Sequence, residues 1–547
     1  MASQSEKVFK SAGVASIAVL MSRMAGLVRE GMMSRLFGAG SSLDAFYLGF
    51  RIPNLTRDLF AEGALSSAFV PTFVEQLQNK GREEAAHLAN LVATAIILFV
   101  GVLCAAGVLL SPWLLPLMTP SWAAANPQKV AEAVKLTQIM FPFLLLVSLA
   151  AQAMGILNAC NQFAVPAFSS TWFNVGSVGS GLLLGFVLGP WLGITRIEGM
   201  AYGVVVGGAL QLLSQAPSLY RQGFRFRPAF DFNHPGMRHI VKLMGPAIIG
   251  NSSVQVNVLV NTFFAASIYD PVRGFDGATS WLQFAFRFMQ LPLGLFGVAI
   301  ATATLPAIGR SAASGDTEEF RETLARSLGL VFVLTLPSSV GLIVMGRSIV
   351  GVIYEGRRFQ AYDTQQTALA LSCYAIGLAG YSAVKILTPA FYALKDSRTP
   401  MLVSLGSVVI NAGMAYVMVH SFRLGHSGLA LATSAVALFS FLVLFQVLKV
   451  RIGGIHGRRL RSVIGKVSLA SAVMGVAVWV SSQGITSVLG HGAVARLADL
   501  AVSIPVGIGV LYFMCRALRV EELEMATRAL GGPILKRFSA LNAKISG

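Results

Sequence analysis

Seven basic residues, Arg23, Arg29, Arg35, Arg51, Arg57, Arg287 and Lys385, lie inside stretches that are otherwise long and apolar. The same stretches hold four acids, Glu30, Asp44, Asp58 and Glu62, which leaves a surplus of three positive charges. Six of the seven bases are arginine. Its planar guanidinium grips phosphate or carboxylate oxygens two at a time, so the chemistry on offer is recognition of an anion. An Arg at the centre of a bilayer costs about 2.5 to 3.5 kcal/mol, so several in a few helices must face a wet cavity rather than lipid. Arg23 and Glu30, seven apart, share one helix face, and Arg29 points elsewhere. Asp44, Arg51, Asp58 and Glu62 follow at spacings of 7, 7 and 4, a continuous polar stripe unless Pro53 kinks the helix. Arg35 and Lys385 can equally be read as side chains that snorkel to the surface. Asp58 and Glu62 read as neutralisers of Arg51 or Arg57 rather than as substrate contacts. Depth and the shortage of acids single out Arg23, Arg29, Arg57 and Arg287 as anion-binding residues.

The elements that hold these residues must cross a membrane. The 547-residue chain is 55% hydrophobic and 12% charged, which excludes an ordinary soluble enzyme. From Leu136 to Thr195 there is no Asp, Glu, Lys or Arg, and these sixty residues exceed what one crossing needs. Apolar stretches bounded by charges or turn residues predict fourteen helices, near 11–37, 42–76, 86–118, 130–158, 164–189, 197–220 and 239–269, then 277–308, 320–346, 364–393, 399–421, 426–448, 462–484 and 495–518. With an even number of spans both termini share a side. Loops on that side carry 26 Lys and Arg against 9 opposite, which places both termini in the cytoplasm. The net charge of +18 is therefore topology, not a footprint for nucleic acid. The first apolar run, interrupted by Arg23, continues as a full span, so no cleavable signal peptide is expected.

The chain also repeats itself. FRIPNLTRDLFAEGALSSAFVP from Phe50 matches FRFMQLPLGLFGVAIATATLP from Phe286, with Arg51 and Arg287 separated by 236 residues. Ala159 precedes Pro166 by seven and Ala393 precedes Pro400 by seven, an offset of 234. Two matches at nearly one offset predict six spans repeated in parallel, followed by two extra helices. The expected division is 1–225 and 226–455 for the two lobes, 456–518 for the last two spans, and 519–547 for a cytoplasmic tail. Ile534, Leu535, Phe538, Leu541 and Ile545 give that tail the spacing of an amphipathic interfacial helix.

Several chemistries are missing. No GxxxxGK[ST] loop is present, so transport would be driven by the membrane potential, an ion gradient or mass action rather than by ATP hydrolysis. Cys104, Cys160, Cys373 and Cys515 have no metal or redox spacing, and no cofactor or metal is expected.

The stretches SRMAGLVRE (Ser22 to Glu30), FGAGSSLDAF (Phe37 to Phe46), IPNLTRDLFAEGALSSAFVP (Ile52 to Pro71), MGPAIIG (Met244 to Gly250) and RFMQLPLGLFGVAIAT (Arg287 to Thr302) resemble the MurJ (MviN) family. These are bacterial lipid II flippases of the multidrug/oligosaccharidyl-lipid/polysaccharide exporter superfamily. The resemblance implies an all-α polytopic inner-membrane protein of 14 transmembrane helices, with two parallel-repeat six-helix lobes in a V shape plus two C-terminal helices. It implies movement of undecaprenyl-diphosphate-linked disaccharide-pentapeptide between leaflets by alternating access, for peptidoglycan synthesis. On this likeness Arg23, Arg29, Arg57 and Arg287 bind the diphosphate and head group. Asp44, Asn54 and Glu62 match the family's acidic and polar motif positions, and with Asp58 they support or gate the site. The helices at 462–518 would form a groove for the polyprenyl tail. Expected partners are lipid II, the phospholipid bilayer and other cell-wall synthesis proteins.

The chain departs from the family pattern in two places. Phe286 stands where many relatives have an acid. Asn261, Asn411 and Ala415 stand where some relatives hold sodium with carboxylates, so no sodium site is expected there. Other readings are an exporter of a different polyprenyl-diphosphate glycan, a drug exporter with an acid-dominated cavity, and a membrane enzyme. The last would need a catalytic carboxylate from among Asp270, Asp276, Glu355 and Asp363.

Overall fold

A computed structural model describes residues 4–59 and 65–523, and within the described residues all regular structure is helical. The first helices are α1 (Gln4–Phe37), α2 (Ser41–Arg57), α3 (Ser66–Asn79), α4 (Arg82–Met118), α5 (Pro120–Ala125), α6 (Pro127–Met140), α7 (Pro142–Ala159), α8 (Ala164–Leu182), α9 (Gly189–Leu192), α10 (Arg196–Leu213), α11 (Ala216–Arg221) and α12 (Pro235–Ser267). Then come α13 (Ala278–Pro292), α14 (Ala299–Ser314), α15 (Thr317–Tyr354), α16 (Ala361–Ile376), α17 (Leu378–Ala393), α18 (Arg398–Tyr416), α19 (Gly425–Arg451), α20 (Gly457–Leu489) and α21 (Ala493–Ala517).

Their starts follow from capping chemistry. Thr195 and Glu198 close a reciprocal box at α10, each accepting from the other's backbone N–H at 3.3 Å. Asp316 accepts from Glu319 N at 2.9 Å to open α15, and Asn126 accepts from Lys129 N at 3.1 Å to open α6. Many hydroxyls inside the apolar helices bond back to their own turn, as Thr137 does to the Ala133 carbonyl at 2.7 Å, which spares the donor from facing hydrocarbon.

Ten helical segments are long and apolar enough to cross a membrane, or eleven when α16 and α17, bent by 42° at Gly377, count as one. Fourteen spans were expected. The difference lies in α1, the pair α2 and α3, and α12, which fall outside that criterion among the described residues. These include the helices that carry Arg23, Arg29, Arg51 and Arg57. Elsewhere large apolar side chains face outward, among them Trp191 at 90% exposure and Leu117 at 74%, as a lipid-facing surface requires.

Packing gathers the chain into two compact units. The first runs to Ser280 and includes Gly356–Arg358, and the second comprises Trp281–Glu355 and Phe359 onward. The seventh predicted span, α12, packs in the first unit against α3, α4 and α5. The core of that unit joins Phe69, Phe73, Leu88, Val92, Leu144 and Ile156. Two of its helices meet along a glycine seam: a Cβ on Gly199 would lie 2.2 Å from Gly185 Cα, one on Gly203 2.4 Å from the Ser177 carbonyl oxygen, and one on Gly207 2.7 Å from that of Phe173. Small residues every fourth position on α10 thus let its backbone touch the fifth span. In the second unit Leu324, Leu328, Phe332, Ile386, Leu387, Phe391 and Leu448 form the main core.

Structural details echo the internal repeat. The helices Ala164–Leu182 and Arg398–Tyr416 both have 19 residues, start 234 apart, and run into wide π-type turns at Leu183–Leu188 and Val417–Ser421, again 234 apart. A third wide turn occupies Leu293–Val298, shortly after Arg287, and Asp58, Leu59 and Leu65 take the same conformation after Arg51.

Candidate anion-binding site

Arg23, Arg29 and Arg57 belong to the first unit and Arg287 to the second. Arg23 is exposed on α1. One and a half turns on, Arg29 is partly buried and its guanidinium carbon lies 5.3 Å from the ring centre of Phe173 on α8, a cation–π contact that holds the fork in place. Glu30 is buried at 2% exposure.

The second helix continues through Pro53 to Arg57 without ending. Arg57 forms a fork on its neighbour, with Nη2 at 2.7 Å and Nε at 3.1 Å from Asp58 Oδ1, while Asn54 Nδ2 is 3.5 Å from Asp58 Oδ2. Asp58 therefore answers Arg57 directly, one of the two partners that the sequence left open. Both remain partly accessible, at 23% and 33% of the side chain. Glu62 lies outside the described residues, as does most of the expected amphipathic tail.

Asp44 is not beside these arginines' forks. It is fully buried and bonded to Lys129 Nζ at 3.1 Å, Gly277 N at 2.7 Å, Ser280 N at 2.9 Å and Ser280 Oγ at 2.6 Å. Two of those donors are orphan backbone groups at the start of α13, so Asp44 caps a helix from 236 residues away. Lys129 completes the arrangement: its ammonium also meets Asp276 Oδ1 at 2.7 Å and the Phe275 carbonyl oxygen at 2.9 Å, and sits 3.7 Å above the Trp122 ring. Sequence reading counted Lys129 only as a loop cation. A signal was present, since a lysine in the first turn of a helix opposes the helix dipole and needs a buried anion to justify it.

Arg287 is half-buried on α13, whose other residues pin it. Phe286, in the place of the expected acid, packs edge-on against Tyr374 with ring centres 5.3 Å apart. Phe288 and Phe284 both pack on Tyr354, at 5.2 and 4.4 Å, and Trp281 Nε1 donates to Asp363 Oδ1 at 3.1 Å. Aromatic anchors on both sides fix the helix that presents the guanidinium. Lys385 and Arg35 are both exposed, and Arg35 lies under Gly356, where a Cβ would meet its Cγ at 2.9 Å.

The four acids that an enzyme would need are engaged in structure. Asp270 Oδ1 accepts from Val272 N and Arg273 N at 2.9 Å, and Asp276 holds Lys129. Glu355 pairs with Arg496 at 2.8 Å and accepts from Thr364, and Asp363 accepts from Trp281 and from Gln360 N at 2.9 Å. Among the described residues these acids are thus engaged in structure, and what the arrangement offers is binding by arginines.

Comparison with known proteins gives the chain a family. The family described as lipid II flippase MurJ matches residues 33–496. A lipid II flippase MurJ of Burkholderia cenocepacia is 33% identical over 79% of this chain and 82% of its own length. A probable lipid II flippase MurJ of Vibrio cholerae is 32% identical over 96% and 99%. Among solved structures, a lipid II flippase MurJ in an inward closed conformation superposes with a TM-score of 0.74 at 26% identity, covering 92% of this chain and 99% of that one. An inward-facing multidrug resistance MATE family transporter of the MOP superfamily gives 0.65 at 16% identity, over 81% and 98%, a likeness of fold alone. The chain belongs to the lipid II flippase MurJ family.

Proposed function

We propose that this chain moves lipid II, the undecaprenyl-diphosphate-linked disaccharide-pentapeptide, from the cytoplasmic to the periplasmic leaflet of the bacterial inner membrane for peptidoglycan synthesis. It is a transporter, not an enzyme. Family membership carries the reading, and the arginine chemistry supports it: Arg23, Arg29, Arg57 and Arg287 supply forks suited to a diphosphate, and the buried Asp44 is already matched by Lys129. We assign diphosphate and head-group binding to those four arginines, positioning of Arg57 to Asp58 and Asn54, and a gating role to Asp44 and Glu62.

The helical regions α1, α2 with α3, and α12 join the other eleven as spans in this reading, giving fourteen with both termini cytoplasmic. The lobes are the parallel repeats 1–225 and 226–455, supported by the wide turns spaced 234 residues apart. The two helices of 456–518 serve the polyprenyl tail. Alternating access is driven by the membrane potential or an ion gradient.

The test is native mass spectrometry of the purified chain titrated with lipid II and with a neutral lipid, for wild type, Arg57→Ala and Arg287→Ala. Selective binding of lipid II that both variants lose is the expected result. Equal binding in all three removes the site assignment, and no lipid II binding by wild type points to another polyprenyl-diphosphate glycan.

A further inference from the structure

The last two helices carry a carboxylate that the transport reading does not use. Asp499, six residues into α21, is fully buried. Its Oδ2 accepts from Ser348 of α15 and from Ser482 of α20 at 2.9 Å, and its Oδ1 from Ser503, one turn further along α21, at 2.8 Å. Ser503 Oγ also lies 2.9 Å from Ser481 Oγ. Six oxygens from three helices thus meet in one place. Ser348 stands six residues before the end of α15 and Ser482 seven before the end of α20, so the cluster sits about 9 to 10 Å in from the helix ends.

The charges around it do not balance. Arg496, one turn before Asp499, is turned away: its Nη1 is 2.8 Å from Glu355 Oε1, and its guanidinium lies against Gly351, where a Cβ would meet Nε at 3.0 Å. Arg347, next to Ser348, is exposed. The basic residues of α20, Arg458, Arg459, Arg461 and Lys466, are at its opposite end, sixteen residues or more from Ser482. A carboxylate buried without a cation is costly, and the donors that meet Asp499 here are serine hydroxyls.

We propose that Asp499, with Ser348, Ser481, Ser482 and Ser503, binds one sodium ion. The donor set is hard oxygen throughout, which selects against softer transition metals. One carboxylate matches one positive charge, whereas calcium or magnesium sites draw on more anionic ligands. One to two turns from the cluster the helices are packed closely, since a Cβ on Gly475 of α20 would come within 2.6 Å of Val340 of α15 and one on Gly507 of α21 within 2.9 Å of Val478 of α20, which resists the spreading of the helices that a larger ion such as potassium would require. The site uses none of Asn261, Asn411 and Ala415, and it stands independently of the assigned substrate. Occupancy would tie the terminal helix pair to α15.

Equilibrium binding of radioactive sodium to the full chain in detergent tests this. Wild type is expected to bind one sodium per chain, displaced by lithium but not by equimolar potassium. Asp499→Asn should weaken binding at least tenfold, Ser348→Ala and Ser503→Ala severalfold, and the distant Asp396→Asn not at all. Absence of saturable binding in wild type, equal competition by potassium, or undiminished binding in Asp499→Asn overturns the proposal. Should Asp499→Asn fail to give monodisperse protein, the serine variants decide: wild-type affinity in both overturns it.

Discussion

Removing the Lys129 ammonium should expose how much of the first unit depends on one buried charge. In Lys129→Met the methylene stem is kept, but Nζ, 1% exposed, is lost together with its contacts to Asp44, Asp276 and the Phe275 carbonyl. Breaking a buried pair by removing one partner costs about 3 to 5 kcal/mol, because the other charge stays buried and uncompensated. Here three donors from Gly277 and Ser280 still serve Asp44, so the lower end, about 3 kcal/mol, is expected. Adding Asp44→Asn removes the stranded charge while keeping an oxygen for the start of α13. The double variant should therefore lose less than the two single losses combined, with a coupling of about 2 kcal/mol. Reversible unfolding in mixed micelles of increasing sodium dodecyl sulfate measures all four corners of the cycle. Losses that add within about 0.5 kcal/mol would refute the view that Asp44 and Lys129 answer each other.

Gly203→Leu on the glycine seam should cost at least about 3 kcal/mol in the same assay, since even a Cβ would press on the Ser177 carbonyl, whereas Gly101→Leu, with nothing within 4 Å, should be near neutral. Phe286→Glu replaces the ring contact with Tyr374 by an anion beside Arg287, and tenfold or greater loss of lipid II binding in the native mass spectrum is expected; unchanged binding would separate Arg287 from the substrate. Asp396, outside the spans, accepts from Thr399 N, Thr399 Oγ1 and Arg398 N and pairs with Arg451, and these hold its carboxyl below the usual 3.8. Its folded-state pKa being depressed, the stability it gives is full above pH 3.8 and fades as pH falls through the lower folded value; amide exchange at the start of α18 should accelerate over that window, and Asp396→Ala should abolish the dependence.

Much of the fold was legible because hydrocarbon is a strict solvent. Sixty residues without a charge can only be spans, and the apolar helices from Arg82 to Arg221 and from Ala278 to Ala517 appear close to where hydropathy placed them. The helices that carry the arginines were legible as well, since α1, and α2 with α3, fall on the stretches expected at 11–37 and 42–76. Asp58 was legible as a neutraliser of Arg51 or Arg57, but not as the partner of Arg57 in particular. The pairing of Asp44 with Lys129, 85 residues apart, was not legible, because the two meet only after α2, α6 and the residues before α13 have packed. Asp499 escaped for a similar reason: three of its four serine neighbours lie on the same helix pair, but Ser348 comes from 151 residues away.

The wide turns at Leu183–Leu188 and Val417–Ser421 act on phase. Such a turn inserts about one extra residue into a helix, and each residue of an α-helix advances about 100° around its axis. Everything beyond the turn is therefore rotated by roughly a quarter of a circle relative to an unbroken helix. In the fifth span the turn falls just before Gly189, whose missing Cβ lets it lie against the Ile194 carbonyl, and Trp191, which projects outward. Deleting one residue from the turn would swing Trp191 away from the lipid side and bring a different neighbour against the seam. The register of both spans is thus stored as an angle, repeated once in each half of the chain, and a single-residue deletion at 183–188 or 417–421 should disturb packing far more than its length suggests.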